Sequence, residues 1–265
     1  MFRKIQSYTR LAMAYTRLNL GSQLEYRGAF FSQVIAMFVN DVAWVMFWVF
    51  FFRRFPVLHG WGLNDVMLLW AVTASGFGIA FAVMGNALSL APVIVNGDLD
   101  IWMSHPRAVL PHLLLGRSTP SAWGDALFGY VIYIIFLRPT IAQMLMFATL
   151  TIVVAVTFVG IGVIAGSLSF YIANSGSVAD EWKFAVITFA TYPPALFDGF
   201  AKVLLFSLIP AGFVSYIPVE ALRAMSAEKL LLAAVGAFAI LTIASVAFEM
   251  GLRRYESGNL ISMNG

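Results

Sequence analysis

The chain has no cysteine. Disulfides, thiolate metal sites and a cysteine nucleophile are therefore excluded. Charge is scarce as well. Only 11% of the 265 residues are Asp, Glu, Lys or Arg, against about 25% in an average soluble domain. No glycine is followed by lysine, so there is no Walker A phosphate loop, and neither HExxH nor GxSxG occurs. The three histidines, His59, His105 and His112, lack the spacing of a metal site. His105 and His112 could share a helical face, but Pro106 intervenes and favours a loop role. The net charge of +3 is too small to point to nucleic acid. No metal or cofactor is expected on this chain.

What the chain has in excess is apolar length. It is 61% hydrophobic, and the apolar residues come in long runs, not in alternating ten-residue segments. That predicts an all-α integral membrane protein and not a barrel. Few ionisable groups fall deep inside the runs, which argues against the proton relay of a coupled secondary transporter. With no nucleotide loop either, the chain reads as a passive membrane half that takes its energy from elsewhere.

Taken in order, residues 1–27 read as an amphipathic interfacial helix. Arg3, Arg10 and Arg17 recur every seventh residue on one face; Ile5, Tyr8, Leu11, Ala12, Tyr15 and Leu18 lie opposite, with Lys4 intruding. A merely basic N-terminal extension is the plainer alternative. No cleaved secretory signal is read there, because the first long apolar block starts only near Gly28. Residues 28–251 form one membrane domain with six expected spans. These are Gly28–Phe52, Asp65–Ala91, Ser121–Leu137, Thr140–Ala173, Phe184–Phe197 and Glu228–Gly251, about 20 residues being enough to cross. A polar loop is expected over Asn174–Lys183, and residues 252–265 make a polar tail.

Asn40 and Asp41 sit in mid-span, where a carboxylate is costly and is a functional candidate by default; a structural hydrogen bond to a neighbouring helix is the alternative. Asp125 lies near the start of the third span. Gly76, Gly78 and Gly85, and the Gly162–Gly166 pair, offer surfaces for close helix contact. After the fifth span, Pro193, Pro194, Pro210, Gly212 and Pro218 break the apolar run. That predicts a re-entrant pair, with a short helix through Leu208, a turn at Pro210–Gly212 and a return to Glu220. A single kinked span over 195–217 is the alternative.

Between the second and third spans lies the polar insert Asn96–Pro106. Gly97 can release one helix, and Asp98 or Asp100 can cap the next. Leu99, Ile101, Trp102 and Met103 then offer apolar surface just outside the membrane. An ordinary membrane loop is one reading; a short helix receiving force from a soluble partner is the other. Six spans put both termini and this insert on the same side. That side carries Arg3, Lys4, Arg10, Arg17, Arg27, Arg107, Arg117, Lys183, Arg253 and Arg254, against Arg53, Arg54, Arg138, Lys202, Arg223 and Lys229 on the other. The positive-inside rule makes it cytoplasmic.

Leu24-Glu25-Tyr26-Arg27, Gly60-Trp61-Gly62-Leu63, Gly97-Asp98-Leu99-Asp100 leading to His105-Pro106, Leu208-Ile209-Pro210-Ala211, Tyr216-Ile217-Pro218 and Arg253-Arg254-Tyr255-Glu256-Ser257 occur in this order through the chain. In these pieces it resembles the bacterial six-span permease subunits of ABC-2 type ABC transporters. The resemblance implies a type V exporter-like fold with an N-terminal elbow helix. It also implies a cytoplasmic coupling helix made of Gly97, Asp98, Leu99, Asp100, Ile101, Trp102 and Met103 with His105 and Pro106. Two copies of a separate ATPase, carrying ATP and Mg, would pair with this chain and a second permease chain, identical or paralogous, in the bacterial inner membrane. Export of an amphiphilic, lipid-like or hydrophobic substrate is the expected activity, along a path near Asn40, Asp41, Pro193, Pro194 and Pro210. The rival readings are a stand-alone secondary transporter or channel using Asp41, and a membrane scaffold that transports nothing.

Overall fold

The computed structural model describes residues 2–106, 108–172 and 175–255, with side chains from residue 8 onward. The expected anchor Arg3, the basic residue Arg107 and the tail from Glu256 therefore lie outside the described side chains. Among the described residues the fold is all helical. Its helices are α1 Phe2–Glu25, α2 Arg27–Arg54, α3 Leu63–Val83, α4 Leu90–Val95, α5 Leu99–Met103, α6 Val109–Leu115, α7 Ala122–Ile132, α8 Ile141–Ser167, α9 Gly176–Ala190, α10 Phe200–Leu204, α11 Ile217–Ala224 and α12 Ala227–Leu252. Four of them, α2, α3, α8 with its 3-10 extension to Phe170, and α12, are long and apolar enough to cross a membrane. The segment Ala122–Leu137 is apolar but shorter.

Helix ends follow local chemistry. Asp65 accepts from the Gly62 N–H at 2.8 Å and starts α3. Thr140 and Gln143 form a reciprocal capping box, with the Thr140 N–H donating to Gln143 Oε1 at 2.9 Å and the Gln143 N–H to Thr140 Oγ1 at 3.4 Å. The Ser226 hydroxyl accepts from the Lys229 N–H at 3.3 Å and starts α12. Arg138 takes a left-handed conformation (φ 47°) and, with Pro139 behind it, ends the third apolar segment, whose last turn Tyr133–Leu137 is a π-helix.

The core is α3, α7 and α8. Of the most apolar 18 residues of each helix, 83% are buried in α3 and 67% in α8, against 17% in α2 and 22% in α12. Small residues bring the backbones together. Gly78 faces the backbone of Ala122 and Ala126, and Gly129 faces Ala71 and Ser75, so α3 and α7 lie almost in backbone contact. Gly160 meets Ile240 and Leu241 of α12. Gly162 and Gly166 contact Ala87 and Leu90, in the break after α3, and not another long helix.

Two expected boundaries and one expected helix face are corrected. The second span stops at Val83 and does not run on to Ala91. The segment 117–119 crosses the end of α3 and takes its hydrogen bonds: the Thr119 N–H donates to the Phe81 carbonyl at 2.9 Å and the Ser118 hydroxyl to the Ala82 carbonyl at 2.6 Å. The Gly85 N–H donates in turn to the Arg117 carbonyl at 2.8 Å, and a Cβ at Gly85 would meet that carbonyl at 2.9 Å. The fifth helix starts at Gly176, inside the stretch expected to be a loop. Asp180 and Glu181 fall in its second turn. Lys183 pairs with Asp180 at 2.7 Å and donates to the Leu88 carbonyl at 2.7 Å, so a loop-like polar run becomes a strut from α9 to the α3 break. Lastly, Leu18 is 69% exposed, because the inward face of α1 runs through Leu11, Tyr15 and Asn19.

The proline-broken region folds as a helical hairpin. The short α10 is followed by a tight turn in which the Gly212 N–H donates to the Leu205 carbonyl at 2.8 Å. The chain returns through the π-helical turn Gly212–Tyr216 into α11. The outward arm is exposed at Phe200 and Val203, while Val214, Ser215 and Tyr216 on the return arm are buried.

The contacts sort the molecule into two ends. At one, α1 lies along α6: Asn19 Nδ2 donates to the Leu115 carbonyl at 3.0 Å and Gln23 Nε2 to the Ser118 carbonyl at 3.1 Å. The Phe170 and Tyr255 rings, 6.2 Å apart, bring the ends of α8 and α12 to the same place. At the opposite end Arg223 pairs with Asp65 at 2.5 Å and lies 4.1 Å from the Trp61 ring centroid, tying α11 to the start of α3.

Candidate functional site

Two features carry chemistry, one inside the helices and one at the end where α1 lies. The first is a cavity of about 340 Å³ walled by α2, α3, α7, α9 and the turn after α9. From α2 come Asn40, Asp41, Trp44 and Trp48; from α3, Trp70 and Thr73; from α7, Asp125; and from the far wall, Thr188 and Tyr192. Asp41 is 4% exposed and Asp125 5% exposed. Their carboxyl groups meet across the α2–α7 contact, and the Asn40 side chain lies against Asp41. Oδ2 of each aspartate is buried with no hydrogen-bond partner among the described residues.

The remaining wall is aromatic. Trp44 stacks on Trp70, with centroids 6.2 Å apart and planes at 25°; Trp48 meets Tyr192 edge-on at 5.7 Å. The Trp70 Nε1–H is another buried group without a partner among the described residues. Trp44 and Phe184, which both line the cavity, are 47% and 65% exposed, so it opens where α2 and α9 come together.

The cavity unites Asn40 and Asp41 with a residue that the sequence reading noticed but did not assign to a site, Asp125. The default that singled out Asp41, a carboxylate within an apolar run, applied to Asp125 equally. Trp70, Thr73 and Tyr192 carried no sequence signal beyond apolar or small-polar composition. Pro193, Pro194 and Pro210 do not line the cavity. The first two follow Tyr192 directly, and Pro210 is buried at the hairpin turn.

The second feature is α5. Gly97 turns the chain at φ +81°. Asp98 occupies the N-cap position but makes no side-chain cap bond, because its own backbone is already helical (φ −66°, ψ −10°) and the carboxylate cannot swing over the first N–H groups. Leu99 is fully buried, and the Trp102 indole covers Gly116, just past the end of α6. Only Ile101, 62% exposed, and Met103, 44% exposed, are left as outward apolar surface. This corrects the expectation that all four apolar residues face outward; a five-residue helix needs two of them to hold it down.

Behind α5 a ring stack continues the anchoring. His105 lies on Trp102 at 6.3 Å, His112 is 5.4 Å from His105, and the Tyr15 hydroxyl lies 3.3 Å from His112 Nδ1. The two histidines thus meet despite Pro106, which turns the chain back over itself. On the other flank Tyr255 sits against Asp100 and Asp98. Burial, then the Asp100 and Asp98 carboxylates, push its phenol up to about 12, so it stays neutral over the whole physiological range, its hydroxyl buried without a hydrogen-bond partner among the described residues.

The family model for ABC-2 family transporter proteins matches residues 38–259. The chain belongs to that family. It is a membrane transport component, the permease subunit of an ABC transporter, in a family whose membrane subunits work with ABC ATPases. The match takes in the cavity, α5 and the hairpin, and leaves out α1 and the first turns of α2. No curated protein and no solved structure is similar enough to the chain to match it.

Proposed function

We propose that this ABC-2 subunit forms half of an ATP-driven exporter for an amphiphilic, lipid-like substrate. Two copies of an ABC ATPase would power it, and a second permease chain, identical or paralogous, would complete the path. The observation that carries the reading is the construction of α5: a helix pinned by Leu99, Trp102 and Tyr255 that offers only Ile101 and Met103 outward. A rigidly backed apolar knob of this kind can transmit a push, whereas a loose loop cannot. In this reading α5 is the coupling helix, α1 is the elbow helix on the bacterial inner membrane, and the termini are cytoplasmic. The α10–α11 hairpin is the re-entrant element. ATP and Mg belong to the partner.

Closure of the ATPases would press on Ile101 and Met103 and move α5 and α6 as a unit. The Gly85–Arg117 and Ser118–Ala82 bonds connect that unit to the end of α3, and α3 forms one wall of the cavity. Substrate would enter past Trp44 and Phe184 from the membrane side. The test is ATP-dependent uptake into inverted membrane vesicles. Ile101→Asp with Met103→Asp should abolish uptake while the chain remains folded in the membrane. Undiminished ATP-dependent uptake by that variant would remove α5 from the coupling path.

A further inference from the structure

We propose that the cavity between α2, α3, α7 and α9 seats a cationic head group, the ammonium of a single-headed amphiphile, with the Asp41–Asp125 carboxyl pair as its counter-charge. The inference rests on the reading of the chain as an amphiphile permease and names the substrate's charge.

Two carboxyl groups, each about 95% buried, meet in this cavity with one oxygen apiece unpartnered among the described residues. No lysine, arginine or histidine lines the cavity. The ion pairs among the described residues join Lys183 to Asp180, Arg223 to Asp65 and Lys229 to Glu220, and leave this pair out. Two carboxylates in contact in a low-dielectric site repel one another when both are ionised, and a cation between them relieves both. The rest of the wall is suited to a particular kind of cation. The faces of Trp44 and Trp70, the Trp48 indole and the Tyr192 ring present π-electron density, which attracts ammonium groups within about 6 Å of a ring centroid.

A hard metal ion is disfavoured, because it asks for about six oxygen ligands. The described residues hold no group of three or more His, Cys, Asp or Glu side chains able to bind a metal ion. About 340 Å³ falls in the range of small-molecule sites, roughly 300–1,000 Å³. The opening beside Trp44 and Phe184 gives a hydrocarbon tail somewhere apolar to lie.

The test is equilibrium binding to the full chain with its co-purifying partners in lipid nanodiscs, without ATP, read by quenching of tryptophan fluorescence. The probes are dodecyltrimethylammonium and dodecyl sulfate, each below its micelle concentration, and dodecanol below its solubility limit. Dodecyltrimethylammonium should bind saturably, and Asp41→Asn with Asp125→Asn should weaken it at least tenfold; dodecanol and dodecyl sulfate should show no saturable change in either protein. Equal affinity in the double variant, or equal binding of the neutral or anionic probe, overturns the proposal. Should the double variant fail to fold, Trp44→Leu serves, since Trp44 is half exposed. It should weaken the quaternary ammonium severalfold, and unchanged affinity would equally overturn the proposal. Because the assay uses no ATP, its failure leaves the ATPase-coupled reading standing. Loss of uptake coupling through α5 is measured separately.

Discussion

A buried carboxylate at the head of the narrow inward stripe of a mostly exposed helix, followed by Val45, Trp48 and Phe52, is an expensive residue to keep. Asp41 is 4% exposed, while Val39 and Val42 beside it are 59% and 37% exposed. Two carboxyl groups buried together, each with an oxygen unpartnered among the described residues, carry a desolvation cost that a neutral isostere relieves. Asp125→Asn should therefore leave the thermal unfolding midpoint in detergent unchanged or raised while it weakens ligand binding. A drop equivalent to about 2 kcal/mol or more would mark the pair as structural scaffolding. At α5 the expectation runs the other way. Leu99 is fully buried and Ile101 is 62% exposed, so Leu99→Ala should cost about 2–5 kcal/mol. Ile101→Ala should stay within about 0.5 kcal/mol yet reduce ATP-coupled uptake. Asp41 was legible in the sequence because mid-span charge is rare. Its partnership with Asp125 was not, because it depends on how α2 and α7 pack, and periodicity within one helix carries no information on that.

Helices here end where another segment of chain takes over their hydrogen bonds, and the elements differ in how far the sequence announced this. The Thr140 and Ser226 caps were readable in principle from local residue types. The end of α3 was not, since its stop comes from the 117–119 segment, some thirty residues further on. The start of α9 was hidden by its own polarity; Lys183 reads as loop until its bond to Leu88 is seen. The glycine pattern was readable as helix contact, but the partners were not. Gly129→Val should drive a branched side chain into Ala71 and Ser75 of α3 and lower folded yield in the membrane. Gly28, with nothing near its Cβ position, should accept Ala without loss. At the opposite end, the Arg223–Asp65 pair is about one-third exposed on both sides. Screening holds its contribution to about 0–1 kcal/mol, to which the Trp61 contact adds about 0.5–1 kcal/mol. A double-mutant cycle of Arg223→Gln and Asp65→Asn should give a coupling within the first of those ranges. A coupling of several kcal/mol would show a far drier end than its exposure implies.

At the scale of the whole molecule, the exposed helices show where the chain meets its surroundings. The most apolar stretches of α2 and α12 are only 17% and 22% buried, so lipid or other chains must cover them. The sequence made the membrane class plain through composition alone. The polar insert at 96–106 stood out because Gly97 and the surrounding polar residues interrupt the apolar pattern, but the short helices α4 and α6 that flank it did not. The sequence could not show that α1, α5, α6 and the end of α12 form one backed assembly, because that arrangement joins residues as far apart as Tyr15, His112 and Tyr255. The assembly accounts for why a five-residue helix could carry force: its inner face is locked to three other elements. The central claim, that this permease is driven by a separate ATPase bound at Ile101 and Met103, is most directly tested by purifying the chain from its native membrane in mild detergent. The companions are then identified by mass spectrometry, for the unaltered protein beside the Ile101→Asp, Met103→Asp variant. The account predicts an ABC ATPase with the unaltered chain, together with one or two permease species, and its loss from the variant. An unaltered chain that repeatedly emerges without any ATPase, or a variant that retains it in full, would contradict the account.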